Sequence, residues 1–294
     1  MVGETPAVEA ERKLRFAFFE RLEPEDWVAR DVAPATLNAR VDGFCAYRGQ
    51  SGIWYDAGRT RNLAGPGVTV SVLHTGRYYP DDLSDDCVVY HYPVTTRQGK
   101  DAVEVAATKN AAELNLPVLV ITEVGPNRDI YLSWVADWDD ETREFLILFA
   151  SSATPPAVAE SIESEWVKFS DKPKHRVEVL RRDRDPQFAF RVRQRYGAAC
   201  AVCRLAVVGL IDAAHIIPVA DGGSNDPRNG IPLCPTHHRA FDQNAFLVNP
   251  HTLELVTPGV DSLDDLRIPV TSIDHLPAKP HVEALAWRWE SVMR

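Results

Sequence analysis

Cysteine, histidine and asparagine gather between residues 200 and 244, CAVCRLAVVGLIDAAHIIPVADGGSNDPRNGIPLCPTHHRAFDQN, at spacings that suit two different metal tasks. Cys200-x-x-Cys203 and Cys234-x-x-His237 are short knuckles, and a tetrahedral zinc takes four nitrogen or sulfur ligands delivered as two such pairs. In small modules zinc binding is worth on the order of 10 kcal/mol, so the ion is a requirement of the fold where the segment is too short for its own core. His237 and His238 are adjacent, and neighbours on a helix point about 100° apart, so they face different sites. His237 completes the knuckle by spacing. His238 then looks into the space where His215 arrives from the strand LIDAAHII, and Asn229 lies in the loop leading back to the second knuckle, where it can hold strand and loop in register. His215, Asn229 and His238 are left for catalysis.

The elements that must position these residues follow from periodicity. Residues 186–196 form a short helix with Phe188, Val192 and Tyr196 on one face, leading into the first knuckle. After Asn244, FLVNPHTLELV reads as a strand pair, and HVEALAWRWESVMR at the end as a helix packing on a domain. Towards the N-terminus, Leu14, Phe18 and Leu22 recur four apart among charges, which predicts an amphipathic helix over 7–22. Between residues 62 and 149 the runs VTVSVL, CVVYHY, PVLVIT, IYLSWV and FLILF are short, β-rich and punctuated by Gly, Pro and Asp, which describes a compact sheet or open barrel. DAVEVAATKNAAEL, 101–114, interrupts them as a single helix. The Ser/Thr/Pro stretch SSATPPA, 151–157, marks a boundary. The expected organisation is a first domain over 1–165, a basic linker over 166–185 and a second domain over 186–294.

Charge and cysteine usage narrow the function classes. A net charge of −10 over 294 residues argues against a general polyanion binder, because non-specific nucleic-acid affinity comes mainly from Lys and Arg on phosphates. The charge is local, however. Residues 172–195 hold nine basic residues against three acids, and Lys172, Lys174, Arg176, Arg181, Arg182 and Arg184 lie directly before the knuckles, where contact with a DNA backbone is expected and a solvated charged face is the plain alternative. Cys45 and Cys87 are isolated, so there is no disulfide framework, and a reducing compartment suits thiolate ligands. Charges from Glu4 onward and the lack of a long apolar run fit neither a secretory leader nor a membrane span, which predicts a soluble, cytoplasmic protein.

Taken together, AHIIP, GG, Asn229 and NGIPLCPTHHRAFD resemble the HNH nucleases with their ββα-metal fold, over about residues 186–250. The resemblance implies that His215 is the general base that takes a proton from the attacking water. It makes Asn229 the residue that positions this base, and His238 a ligand of a divalent cation, magnesium or manganese, at the scissile phosphate. Many members carry an acid or His directly before the base, where this chain has Ala214. Asp242, four residues after His238 on the same helical face, is the preferred substitute or supporting partner. Asp212 is the alternative, placed by strand alternation on the face opposite His215.

In the first domain, Gly76, Tyr79, Asp81 and Asp82 followed by His91-Tyr92-Pro93 resemble the SRA domain, a barrel of the PUA-like class that reads 5-modified cytosine flipped out of the duplex. GQSGIWYD, 49–56, and KNAAELNLPVLVI, 109–121, are similar to further family segments, so the likeness spans about 45–150. It implies a pocket in which Tyr79 supplies one flat face, His91 or Tyr92 the other, and Asp82, or Asp81 beside it, accepts from the cytosine edge. Pro93 stands where the family has Gly.

The expected protein is therefore α+β: an N-terminal SRA/PUA-like β-barrel with flanking helices, then an HNH domain with structural zinc. Such SRA-HNH enzymes are modification-dependent restriction endonucleases of the bacterial cytoplasm. They act on double-stranded DNA bearing 5-methylcytosine or 5-hydroxymethylcytosine. One HNH site cuts one strand, so a double-strand break implies a homodimer or sequential nicking. Two other readings remain open at this level: an HNH nuclease directed by another PUA-like reader, of phosphorothioate or a different base, and a DNA-binding protein whose HNH module is inactive.

Overall fold

A computed structural model describes residues 5–22, 29–38, 43–48, 52–75, 82–95, 99–124, 126–150, 166–169, 185–207 and 209–293. The chain divides into two compact units, Met1–Glu160 and Ser161–Arg294. Both mix helix and strand, as the α+β reading requires. No helix is long and apolar enough to cross a membrane.

The first unit opens with α1 (Pro6–Glu20), whose start is fixed by Pro6 in the first turn and by the Thr5 side chain accepting from the Val8 amide. Along the chain follow β1 (Arg30–Val32), α2 (Pro34–Asn38), β2 (Ile53–Tyr55), α3 (Ala57–Thr60), β3 (Thr69–His74), β4 (Asp82–Leu83), β5 (Cys87–His91), α4 (Lys100–Glu113), β6 (Val118–Val124), β7 (Asn127–Asp139) and β8 (Glu144–Phe149). They build one eight-stranded sheet in the order β2-β3-β6-β7-β8-β5-β4, with β1 added to β7. Only β3 and β6 run parallel. The path stays open, since β2 and β4 do not pair among the described residues.

Strands β3 and β5 are buried at every position because both sheet faces are covered. Alternate residues of β6 show the two sides. Leu119 and Ile121 join Phe18 and Phe19 of α1 in one apolar cluster, and Val118 and Val120 join Val88, Phe145 and Ala111 of α4 in the other. Arg15 of α1 is fully buried and donates to the carbonyls of Thr69 and Pro117, with Glu11 as its counter-charge at 2.7 Å. This one guanidinium ties α1 to the first residue of β3 and the residue before β6.

The second unit contains α5 (Pro186–Tyr196), β9 (Asp212–His215), β10 (Gly230–Leu233), α6 (Pro235–Asp242), the pair β11 (Leu247–Val248) and β12 (Leu255–Val256), and α7 (Val282–Met293). Strands β9 and β10 are antiparallel, with Gly230 opposite His215, and α6 follows directly, giving a ββα unit. Its core joins Phe188, Val192 and Tyr196 of α5 to Ile216, Ile217, Ile231, Phe241, Phe246 and Leu285. From α7, Arg288 is buried across Phe241 at 3.8 Å and donates to the carbonyls of Ile216 and Phe241. The last helix therefore clamps the exit of β9 to α6.

The stretch read from sequence as a linker, 166–185, has its described ends on this second unit. Trp166 stacks on His281 at 3.9 Å, Phe169 bridges Gly223, and Ser224 bonds the backbone of Val167 and Lys168. At the other end Asp185 caps α5 by accepting from the Phe188 amide at 3.1 Å. Aromatic stacking and backbone pairing at one end and a helix cap at the other hold both ends to the second unit, which a linker composition gives no hint of.

Candidate active site and metal centre

Cys200, Cys203, Cys234 and His237 bring their ligand atoms within 4.8 Å of one another. Tetrahedral zinc with Zn–S bonds of about 2.3 Å sets sulfurs about 3.8 Å apart, and Cys203 Sγ and Cys234 Sγ lie at 3.9 Å. His237 Nδ1 is 3.7 Å from Cys200 Sγ and 3.1 Å from Cys234 Sγ. The opposite nitrogen, Nε2, donates to the Leu266 carbonyl at 3.0 Å, which leaves the Nδ1 lone pair for a metal. Burial pushes the Cys200 thiol up, a cost that a cation among the sulfurs reverses. The donor set and spacing fit zinc.

Position 238 is one step round α6 and faces elsewhere. His238 Nδ1 lies 3.2 Å from Asp212 Oδ2, and its Nε2 lies 3.6 Å from Asp242 Oδ2. Both acids weighed from the sequence thus reach this imidazole, one at each nitrogen. Asp212 does so from the buried face of β9 that it shares with Ala214, whereas His215 occupies the other face. Alternation, which counted against Asp212 as a neighbour of His215, is what delivers it to His238. Asp242 is 54% exposed and Asp212 only 7%, so solvent-borne groups meet Nε2 and Asp242 first.

His215 sits half-buried at the end of β9 with its ring stacked on Phe188, 3.8 Å between centroids and 15° between planes. Its Nε2 lies 3.0 Å from Asn225 Oδ1, and Asn225 Nδ2 donates to Asp185. Burial holds the imidazole pKa below the ordinary value, with the nearby His238 adding to the effect, while Asn225, Asp185 and Asp242 oppose it. The net result is a histidine biased towards the neutral form a base needs.

Asn229 is fully buried. Its side chain accepts from the Ile217 amide at 2.9 Å and donates to the carbonyls of Ile217 and Ser224 at 3.1 and 2.9 Å. With these bonds on backbone, it holds the loop that follows β9. The two glycines in that loop have a steric reason: Gly222 is left-handed at φ +87°, and a Cβ on Gly223 would meet the Ile217 carbonyl at 1.9 Å.

Residues 200–249 match the family model described as HNH endonuclease. The second unit carries an HNH endonuclease domain. Its ββα unit is β9, β10 and α6, and its knuckles are the two ends of the Cys3His cluster. Among solved structures, the full chain is similar to the modification-dependent TagI restriction endonuclease, at 18% identity and a TM-score of 0.38 over 92% of this chain and 94% of that one. It is also similar to the SUVH5 SRA domain solved with fully hydroxymethylated CG DNA, at 22% identity and a TM-score of 0.33 over 44% of this chain and 92% of that one. No curated protein matches the chain significantly.

Sequence reasoning missed Asp185, Phe188 and Asn225 as the surroundings of His215, and Arg288 as the brace between Ile216 and Phe241. The DPQF turn that opens α5 carried a capping signal, Asp before Pro, that marks Asp185 as fixed. Tyr79 and Asp81 of the first unit, and the basic residues Lys172, Lys174, Arg176, Arg181, Arg182 and Arg184 of the second, lie outside the described residues. Asp82 is half-buried on β4 opposite Val89. His91 is buried with Nε2 3.2 Å from Glu144, and Tyr92 is buried against Phe145 at 4.5 Å with its hydroxyl donating to Asp140. Both side chains are thus buried, His91 at the end of β5 and Tyr92 just beyond it.

Proposed function

We propose that the chain is a modification-dependent DNA endonuclease, in which the first unit selects duplex DNA carrying 5-methylcytosine or 5-hydroxymethylcytosine and the HNH domain hydrolyses the phosphodiester. The observation that carries the cutting half is the pairing of a neutral-biased histidine, His215, with a separate imidazole, His238, set between two carboxylates. These are the two functions that phosphodiester hydrolysis needs, a proton acceptor and a cation holder.

His238 Nε2 and Asp242 fit a divalent cation, magnesium or manganese, and Asp212 on Nδ1 fits the carboxylate that orients a metal-ligating imidazole. When bound, the cation supplies positive charge at the scissile phosphate and the leaving 3′ oxygen. His215 takes the proton of the attacking water. Phe188 holds its ring plane, and Asn229 holds the loop behind it. Zinc in the Cys3His cluster keeps α6 and the first knuckle together, so that His238 keeps its orientation.

The selecting half rests on the SRA-like sequence pattern around Tyr79, Asp81 and Asp82. A flipped cytosine needs a carboxylate at its Watson–Crick edge and flat faces to stack on. Asp82, or Asp81 beside it, supplies the carboxylate and Tyr79 one face, with His91 or Tyr92, both buried in the described structure, as the other. The basic run 172–184 lies on the DNA backbone. Digestion of matched plasmids, unmodified, methylated, hydroxymethylated and phosphorothioated, in magnesium tests this: cleavage confined to the methylated or hydroxymethylated DNA is expected. Equal cutting of all four sinks the reader assignment, and cutting of the phosphorothioated plasmid alone transfers it to that chemistry.

A further inference from the structure

Two residues outside the histidines fix how the base is presented. Asp185 stands immediately before α5, and both its oxygens are used: Oδ1 accepts from the Phe188 amide at 3.1 Å, and Oδ2 from Asn225 Nδ2. A carboxylate can only accept, so the end of the Asn225 amide facing it is the NH2 group, and the end facing His215 is the carbonyl Oδ1. That oxygen, 3.0 Å from His215 Nε2, in turn can only accept. Nε2 therefore carries the proton, and Nδ1 carries the lone pair.

We propose that Asp185 and Asn225 are positioning residues that lock His215 in its Nε2–H tautomer, making Nδ1 the atom that receives the proton of the attacking water. The proton lost from water goes to Nδ1 as the water oxygen bonds to phosphorus and the bond to the 3′ oxygen breaks. The imidazolium then carries its new charge beside an amide oxygen backed by a carboxylate. The ring cannot turn over to exchange its nitrogens, because Phe188 stacks on it and the strand opposite leaves Phe188 no room: a Cβ on Gly230 would lie 2.7 Å from the Phe188 ring. Helix α5 thus carries a cradle of two parts, an aromatic face from Phe188 and a polar stop relayed from Asp185. The ionisable groups facing His215 are Asp185, His238 and Asp242, and none of them but Asp185 acts through Asn225.

The role rests on reading the site as a nuclease, and the test separates the two. In the full chain with its histidines 15N-labelled and His215 assigned by a His215→Gln variant, long-range 1H–15N correlations should show a protonated Nε2 and an unprotonated Nδ1. Asn225→Ala and Asp185→Asn should lose that pattern and cut modified duplex DNA on the order of 10²-fold more slowly in single turnover. Zinc content and manganese affinity should be unchanged. Asp185→Asn retains a good helix cap, so its loss cannot be charged to α5 unravelling. Asn225→Asp should keep the Nε2–H tautomer and move the acid limb of the pH–rate profile up by about one unit, as a carboxylate beside the imidazolium favours it. A purely structural role would not move that limb. An Nδ1–H tautomer in the wild type, or Asn225→Ala with tautomer and pH profile intact, overturns the proposal. If the chain cuts no DNA at all while the tautomer still depends on Asn225 and Asp185, the lock stands and the nuclease reading fails.

Discussion

His215 is buried enough that its imidazolium is disfavoured despite two carboxylates nearby, and this has a measurable sign. A base works only when unprotonated, so cleavage should fall as pH drops through the His215 pKa. That pKa lies below the usual histidine value of about 6.5. The rate should accordingly hold its plateau to a lower pH than an exposed histidine would allow, read from single-turnover rates across pH with metal saturating. His215→Ala should abolish cleavage while leaving DNA binding and the thermal transition of the second unit in place. Gly223 makes a steric prediction at the same scale. Gly223→Ala puts a methyl into the Ile217 carbonyl, which also neighbours Asn229, and should destabilise the unit by about 1–3 kcal/mol in a denaturant titration. That Cys200, Cys203, Cys234 and His237 cluster, and that His238 faces away from them, was legible from spacing, because knuckles and adjacent histidines constrain geometry directly. Asn225 and Phe188 were not, because a contact between residues 10 or 27 positions apart in the chain has no local signature.

Helices and strands carry the next set of effects. The zinc cluster joins the turn after α5 to the start of α6, and its histidine is held from the far side by the Leu266 carbonyl. Chelation should therefore melt the second unit and leave the first intact, seen as loss of one of two calorimetric transitions. Arg288 is the brace of α7. Burial pushes its guanidinium down to about 10, even with Asp242 and Asp221 opposing, yet it still spans two carbonyls that no other side chain serves among the contacts described. Arg288→Ala should cost about 2–4 kcal/mol, since it opens a cavity over Phe241 and takes the guanidinium bond from the Ile216 carbonyl, whereas the Phe241 carbonyl keeps the Asn244 amide. Long elements were readable from sequence. The helices over 186–196 and the C-terminal segment stand as the pattern predicts, as do the five main strands. The short strands β1, β2 and β4 were unreadable, since two or three residues cannot express alternation and exist only through pairing with β7, β3 and β5.

At the scale of the whole molecule, acidity and DNA chemistry coexist because a chain of net charge −10 concentrates basic residues before the nuclease core. The proposed reader and the HNH domain fall in separate units, which sets a prediction. A fragment of residues 161–294 should fold with zinc and nick methylated and unmethylated plasmids equally and slowly, measured side by side with the full chain, whose rates on the two should differ. Discrimination retained by the fragment would place the reader in the wrong unit. A shorter fragment of residues 186–294 should be less stable than the first, because it drops the partners of His281, Gly223 and Ser224.

That difference matters most to anyone who would re-use the cutter. Trp166 lies flat on His281 and Phe169 bridges Gly223, so the splice point of the nuclease is upstream of residue 166, well before residue 200, where the match to the HNH family model starts. A chimera joined at α5, just ahead of the residues that match the HNH family model, would sever the module from its own backing. One joined before residue 166 would carry those contacts and the basic run across intact.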